Sequence, residues 1–173
     1  MHLGYVMTTE RGATDRLLSA FAAACIARGV RVCGVVQTNT DCTDSRHCDM
    51  DVQVLPDGPV FRISQSLGKE ARGCRLDPAA LEEAVATVTR GLDPKPDLLI
   101  VNKFGKHEAD GRGFRDVIGQ CLTEGVPVLA GVNALNLDAF ETFTGGVGEA
   151  VPASLDGCAA WLEAALADGS RAA

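Results

Sequence analysis

Short apolar runs alternate along this chain with stretches in which apolar residues recur every three or four positions. The runs are Leu3 to Met7, Val30 to Gln37, Met50 to Leu55, Val60 to Ile63, Leu98 to Val101 and Val126 to Val132. Brief, continuously apolar runs read as strands buried on both faces. Between them, Leu17, Leu18, Phe21, Ala24 and Cys25 line one face of a helix stopped by Gly29. Leu81, Ala84, Val85 and Val88 do the same behind Asp77-Pro78, an N-cap followed by a first-turn proline. Further stripes are Phe114, Val117, Ile118, Cys121 and Leu122 in a helix over about 112–124, and Leu155, Cys158, Trp161, Leu162, Ala165 and Leu166 in a last helix over 154–167. A shorter helix is expected near Leu137 to Phe143. Strands alternating with helices predict an α/β fold, a three-layer sandwich around a mostly parallel sheet.

Two departures interrupt that rhythm. Residues 38–49 are polar and read as a loop, and Pro56-Asp57-Gly58-Pro59 separates two strand-like runs as a hairpin turn would. The expectation is a β-hairpin excursion near residues 50–63. At 173 residues the chain is read as one domain, 1–173.

Charge narrows the function classes. The 16 Lys and Arg against 23 Asp and Glu give a net charge of −7, which argues against a nucleic-acid partner. A small anionic ligand remains compatible, because a site needs only local positive charge. No apolar run reaches transmembrane length, and the beginning of the chain lacks a signal-peptide pattern, so the expectation is a cytoplasmic protein with no membrane partner. A homo-oligomer is compatible with the sequence. Seven cysteines without an export signal argue against a disulfide framework. Cys25, Cys33, Cys121 and Cys158 fit as small buried hydrophobes, which leaves Cys42, Cys48 and Cys74 in polar sequence.

The candidate chemistry gathers where strands give way to polar loops. The segment after Leu98 to Val101 runs Asn102, Lys103, Phe104, Gly105, Lys106, His107, Glu108, and ligands collect beyond the carboxyl ends of such strands. The loop after the first strand ends in Gly12, Ala13 and Thr14, against the G-K-[ST] of a phosphate-binding loop. Met7 stands in the place of its first glycine and Ala13 in that of its lysine, while Thr14 keeps the position whose hydroxyl holds Mg²⁺. Backbone amides at the start of the following helix attract anions through the helix dipole. A separate group, His47, Cys48 and Cys74, suggests a thiol or a transition-metal site, although Cys42 and Cys48 lack the close spacing of zinc ligands.

The stretch from Asp97 to Glu108 resembles the strand-end motif of the small thermostable nucleoside-triphosphatases, with Gly105, Lys106 and Glu108 matching and Asn102 and Lys103 replacing its two acidic residues. Over nearly its full length the chain resembles an uncharacterised bacterial domain family that is NTPase-like. The segments that carry this are Cys48 to Asp51, Arg62 to Gly68, Gly73 to Asp77 and Asn102 to Gly113. The resemblance implies a P-loop-like fold and a nucleotide with Mg²⁺ as ligand, and labels on some relatives point to molybdenum transport, hence molybdate. Without the acidic strand end, hydrolysis is expected to be slow or absent, and Lys103 is expected to replace the missing loop lysine from the opposite side. The expected anion or nucleotide contacts are Arg11, Gly12, Ala13, Thr14, Asn102, Lys103, Lys106 and Arg112. The alternative is a thiol or metal-binding, redox-sensing protein built on Cys48 and Cys74.

Overall fold

A computed structural model describes residues 1–41, 48–65 and 76–171. Its seven strands are β1 (Leu3–Val6), β2 (Val32–Asp41), β3 (Cys48–Val54), β4 (Val60–Arg62), β5 (Leu98–Phe104), β6 (Val128–Val132) and β7 (Glu149–Ala150). They form one sheet in the order β4-β3-β2-β5-β6-β1-β7. The five strands from β2 to β7 in that order run parallel, whereas β3 and β4 are antiparallel. The hairpin is thus present, and it continues the sheet as its edge.

The helices are α1 (Ala13–Ala27), α2 (Pro78–Arg90), α3 (Lys106–Ala109), α4 (Arg115–Thr123), α5 (Leu137–Thr144) and α6 (Leu155–Arg171). Side chains alternate across β5, and the two faces bury different sets. Leu98 and Ile100 pack with Leu18 and Phe21 of α1 and Cys158, Trp161 and Leu162 of α6. Leu99 and Val101 pack with Leu81, Ala84 and Val88 of α2, Val117 and Ile118 of α4, and Phe140 of α5. This is the three-layer sandwich that the stripes predict. Each fully buried Leu or Val contributes about 1.5–3 kcal/mol.

Several boundaries move for physical reasons. Within the expected loop over 38–49, the described residues 38–41 and 48–49 are strand, because β2 continues to Asp41 and pairs residue by residue with β3, Thr38 opposite Asp51 and Asn39 opposite Met50. A ladder held by backbone hydrogen bonds accepts polar side chains on its wet face, so hydrophobicity does not mark its end. Likewise β5 runs through Asn102 and Lys103 to Phe104. Phe104 is buried edge-on to Phe140, with centroids 5.2 Å apart, and is stacked on Phe143 at 5.4 Å. Leu155 and Leu166, assigned inward by spacing, are 45% and 36% exposed at the rims of α6.

Cys25, Cys33, Cys121 and Cys158 are buried and free, as expected of small core residues. Burial pushes the Cys121 thiol up to about 12 and the Cys158 thiol up to about 11, so neither offers a thiolate near neutral pH. The core leaves these thiols inert.

Candidate functional site

The carboxyl ends of β1, β2, β5 and β6 open onto one cleft of about 520 Å³. Its walls are Thr8 to Gly12 of the loop after β1, Thr14 and Asp15 of α1, Gln37 and Asn39 of β2, Met50 of β3, Asn102 and Lys103 of β5, and Gly131 to Asn133 at the end of β6. This is the crevice in which open parallel sheets hold ligands.

Residues 7–12 make the turn from β1 into α1. Gly12 caps the helix at φ 74, a left-handed backbone that glycine adopts without strain. Thr8 and Thr14 face one another with their hydroxyl oxygens 2.8 Å apart, and Arg16 pairs with Glu10 across the outside of the turn. Of the amides expected to meet an anion, that of Ala13 instead donates to the Glu10 carbonyl at 3.2 Å, which closes the turn. Arg11, Gly12, Thr14 and Lys103 all line the cleft, Lys103 as an exposed side chain of β5. The structure therefore brings together the loop and the lysine expected to oppose it.

Asn102 also lines the cleft, but its side chain is committed to protein partners. It is 2% exposed and its side chain is engaged on both sides. Its Oδ1 accepts the Gln37 backbone N–H at 3.0 Å, and its Nδ2 donates to Asp15 Oδ1 at 2.7 Å. It serves as a strut between β2, β5 and α1 rather than as a group reaching outward. Asp15, Thr8, Gln37 and Asn39 belong to the cleft, and sequence reasoning missed all four. Only Asp15 left a signal, a carboxylate directly after Thr14 in the first helical turn.

Two expected contacts lie elsewhere. Arg112 lines a second cleft of about 690 Å³ between α2 and α4, together with Glu82, His107 and Asp116, and Lys106 lines neither. The cause is α3, a single helical turn that carries the chain over to the α2 side of the sheet. Glu108 holds that turn from inside, accepting the Gly105 N–H at 3.0 Å and the Phe114 N–H at 3.3 Å. His107 is nearly as deeply placed, its Nε2 3.0 Å from Glu82 Oε1, which also accepts the Gly113 N–H.

Burial raises the Glu108 pKa above its ordinary value of 4.5, against the Gly105 and Phe114 amides, which pull it down. A carboxyl group with a raised folded-state pKa adds stability in acid that is lost as the pH climbs through that pKa. The stability of the native chain relative to Glu108→Gln should therefore fall as the pH rises from about 4.5. Melting temperatures of both proteins across that range test this, and a difference independent of pH refutes it.

The residues of the metal reading give it no support. His47 and Cys74 lie outside the described residues, Cys48 begins β3, and no group of three His, Cys, Asp or Glu converges among the described residues. Also among the described residues, no helix is long and apolar enough to cross a membrane.

The model of a family described as "Protein of unknown function (DUF2478)" matches residues 3–161. A molybdenum import ATP-binding protein, ModC 2 of Bradyrhizobium diazoefficiens, is 38% identical over 136 residues. That match takes in 78% of this chain, which spans about 15% of the length of that relative. Among solved structures, THEP1 from the hyperthermophile Aquifex aeolicus aligns at a TM-score of 0.61 with 16% identity, covering 94% of this chain and 95% of the other. A human cancer-related nucleoside triphosphatase aligns at 0.59 with 18% identity over 86% of each chain. At such identities the likeness establishes the fold alone, which this chain shares with these two proteins.

Proposed function

We propose, for a chain that belongs to this family of unknown function, that the first cleft binds a nucleotide or a comparable oxyanion through a degenerate phosphate loop. The observation that carries this reading is the position of Lys103, exposed and lining the same cleft as Gly12 and Thr14. A lysine reaching in from β5 supplies charge that the loop lost with Ala13, and an ammonium is a point charge that neutralises phosphate from any direction. Arg11 adds a second cation to the same cleft. The P-loop fold and the ATP-binding relative favour a nucleotide, and that relative's molybdenum import makes molybdate the oxyanion to compare with it.

Mg²⁺ fits as a companion of the phosphates rather than as a resident ion. It takes hard oxygen ligands and is usually held by one or two carboxylates plus substrate phosphates. Thr8, Thr14 and Asp15 offer such oxygens on one wall of the cleft. Bound Mg²⁺ would offset phosphate charge. The acidic strand end that orients an attacking water is Asn102 here, so turnover is expected to be slow at most.

A thermal-shift comparison of ATP, GTP, phosphate, sulfate and molybdate, each with and without Mg²⁺, tests the reading. A ligand that binds only the folded chain raises its melting temperature with saturation. Lys103→Ala should weaken the responding ligand by about tenfold, which corresponds to about 1.4 kcal/mol. No shift with any of the five, or an equal shift in Lys103→Ala, removes the basis of the proposal.

A further inference from the structure

Asp15 brings a carboxylate to the wall of the first cleft, and its two oxygens are held by amides from different strands. Asn102 Nδ2 donates to Oδ1 at 2.7 Å, and Asn39 Nδ2 donates to Oδ2. Asn39 Oδ1 in turn accepts Gln37 Nε2 at 2.7 Å. The orientation of Asn102 is fixed independently, because the Gln37 backbone N–H can only donate and so demands the Asn102 oxygen. The Asn102 amino group is thereby directed at Asp15. Each carboxylate oxygen still has capacity for another contact.

We infer that Asp15 has taken over, from α1, the Mg²⁺-binding duty that falls to a strand-end carboxylate in phosphate-loop proteins. Acid and amide have exchanged places across one hydrogen bond, with the amide now on β5 and the acid on the helix beside Thr14. This inference rests on the nucleotide reading of the cleft and deepens it to a nucleotide–Mg²⁺ complex. The electrostatics follow directly. Without a cation, the Asp15 carboxylate opposes a polyphosphate in the same cleft. With Mg²⁺ between them, repulsion becomes a bridge, so affinity depends on the metal.

The arrangement also specifies the variant that tests it. In Asp15→Asn, the new amide oxygen can accept from Asn102, but the new amino group meets the Asn39 amino group unless Asn39 and Gln37 both turn their side-chain amides over. In the exchange variant Asp15→Asn with Asn102→Asp, every donor meets an acceptor again. Asp at 102 accepts from Gln37 and from Asn at 15, whose oxygen accepts from Asn39. The exchange variant therefore keeps the network while returning the carboxylate to the strand.

The experiment titrates a fluorescent ATP analogue into the native chain, Asp15→Asn and the exchange variant, in Mg²⁺ and in EDTA. The native chain should bind about tenfold more tightly with Mg²⁺. Asp15→Asn should lose that gain and bind at least as well as the native chain in EDTA, and the exchange variant, whose carboxylate is buried on β5, should keep the network without the gain. Asp15→Asn retaining the full Mg²⁺ gain overturns the assignment while leaving nucleotide binding intact. Failure of the native chain to bind under either condition overturns the nucleotide reading itself, and the assignment with it. Since Asp15→Asn alone either breaks a hydrogen bond or turns the Asn39 and Gln37 amides over, its melting temperature is recorded beside each titration. An exchange variant that is as stable as the native chain and keeps the full Mg²⁺ gain also refutes the assignment.

Discussion

Alanine at position 34 is expected to destabilise the protein by about 4 kcal/mol, combining a left-handed backbone cost of about 1–2 kcal/mol with overpacking of about 1–3 kcal/mol. Gly34 lies mid-strand in β2 at φ 112, opposite Ile100 of β5. An added Cβ would sit 1.9 Å from the Ile100 carbonyl oxygen and 2.9 Å from its nitrogen. Those atoms are backbone at the centre of a parallel sheet, so relief requires β2 and β5 to separate. The Gly34 carbonyl also accepts the Leu55 N–H at 2.9 Å, so a shift there disturbs the end of β3 as well. Gly29→Ala separates the two contributions. Its φ is 79, but a Cβ there meets nothing within 4 Å, so only the backbone cost of about 1–2 kcal/mol should appear. Urea unfolding of both variants measures this, the midpoint moving while the slope stays constant. Equal losses in the two variants would show that the approach to Ile100 is not what constrains position 34.

Asn102→Asp is the second large effect, expected to cost about 3 kcal/mol near neutral pH. Asn102 is 2% exposed, and its Nδ2 stands 2.7 Å from a carboxylate oxygen of Asp15. Turning that nitrogen into a second carboxylate oxygen replaces a donor–acceptor contact with like charges at hydrogen-bond distance. The pair is tolerated only when one proton lies between the two oxygens, so the defect should shrink as the pH is lowered. Adding Asp15→Asn should recover most of the loss, because the donor–acceptor order is then restored in reverse. A double-mutant cycle on unfolding free energies reads the coupling directly. Additive losses would mean that residues 15 and 102 do not share the hydrogen bond described here.

How much of this was legible in the sequence depends on how far away each residue's partners lie. The run Leu98 to Val101 and the helical stripes around Leu81 and Val117 were readable because burial of a regular element leaves a local period. The polar half of β2 was not, because Thr38 to Asp41 are placed by pairing with β3 rather than by any period of their own. Asn102 was correctly located at the head of the sheet, but the partners of its side chain were not foreseen. Nothing local distinguishes an amide that meets a ligand from one satisfied by partners 65 and 87 positions away. Lys106 and Arg112 were grouped with Lys103 by proximity in sequence, and one turn of helix held by Glu108 carries them to another face. Lys103 itself was placed in the cleft correctly, because strand direction alone fixes which end of β5 faces the loop after β1.

The hydrogen bonds that unite Asp15, Gln37, Asn39 and Asn102 have a consequence for folding. No local version of this cleft exists, since its wall is closed by contacts of long sequence separation, the entropic cost of which is met only when β5 has docked between β2 and β6. Such pairings belong to high-contact-order folding, which is slow and completes late. The cleft is therefore a property of the whole sheet, and a chain ending before β5 would carry the loop without its opposite wall. Conversely, a ligand that bridges α1 and β5 would act as a long-range staple. Its stabilisation should then appear as slower amide exchange along β2, β5 and β6 together rather than around the loop alone.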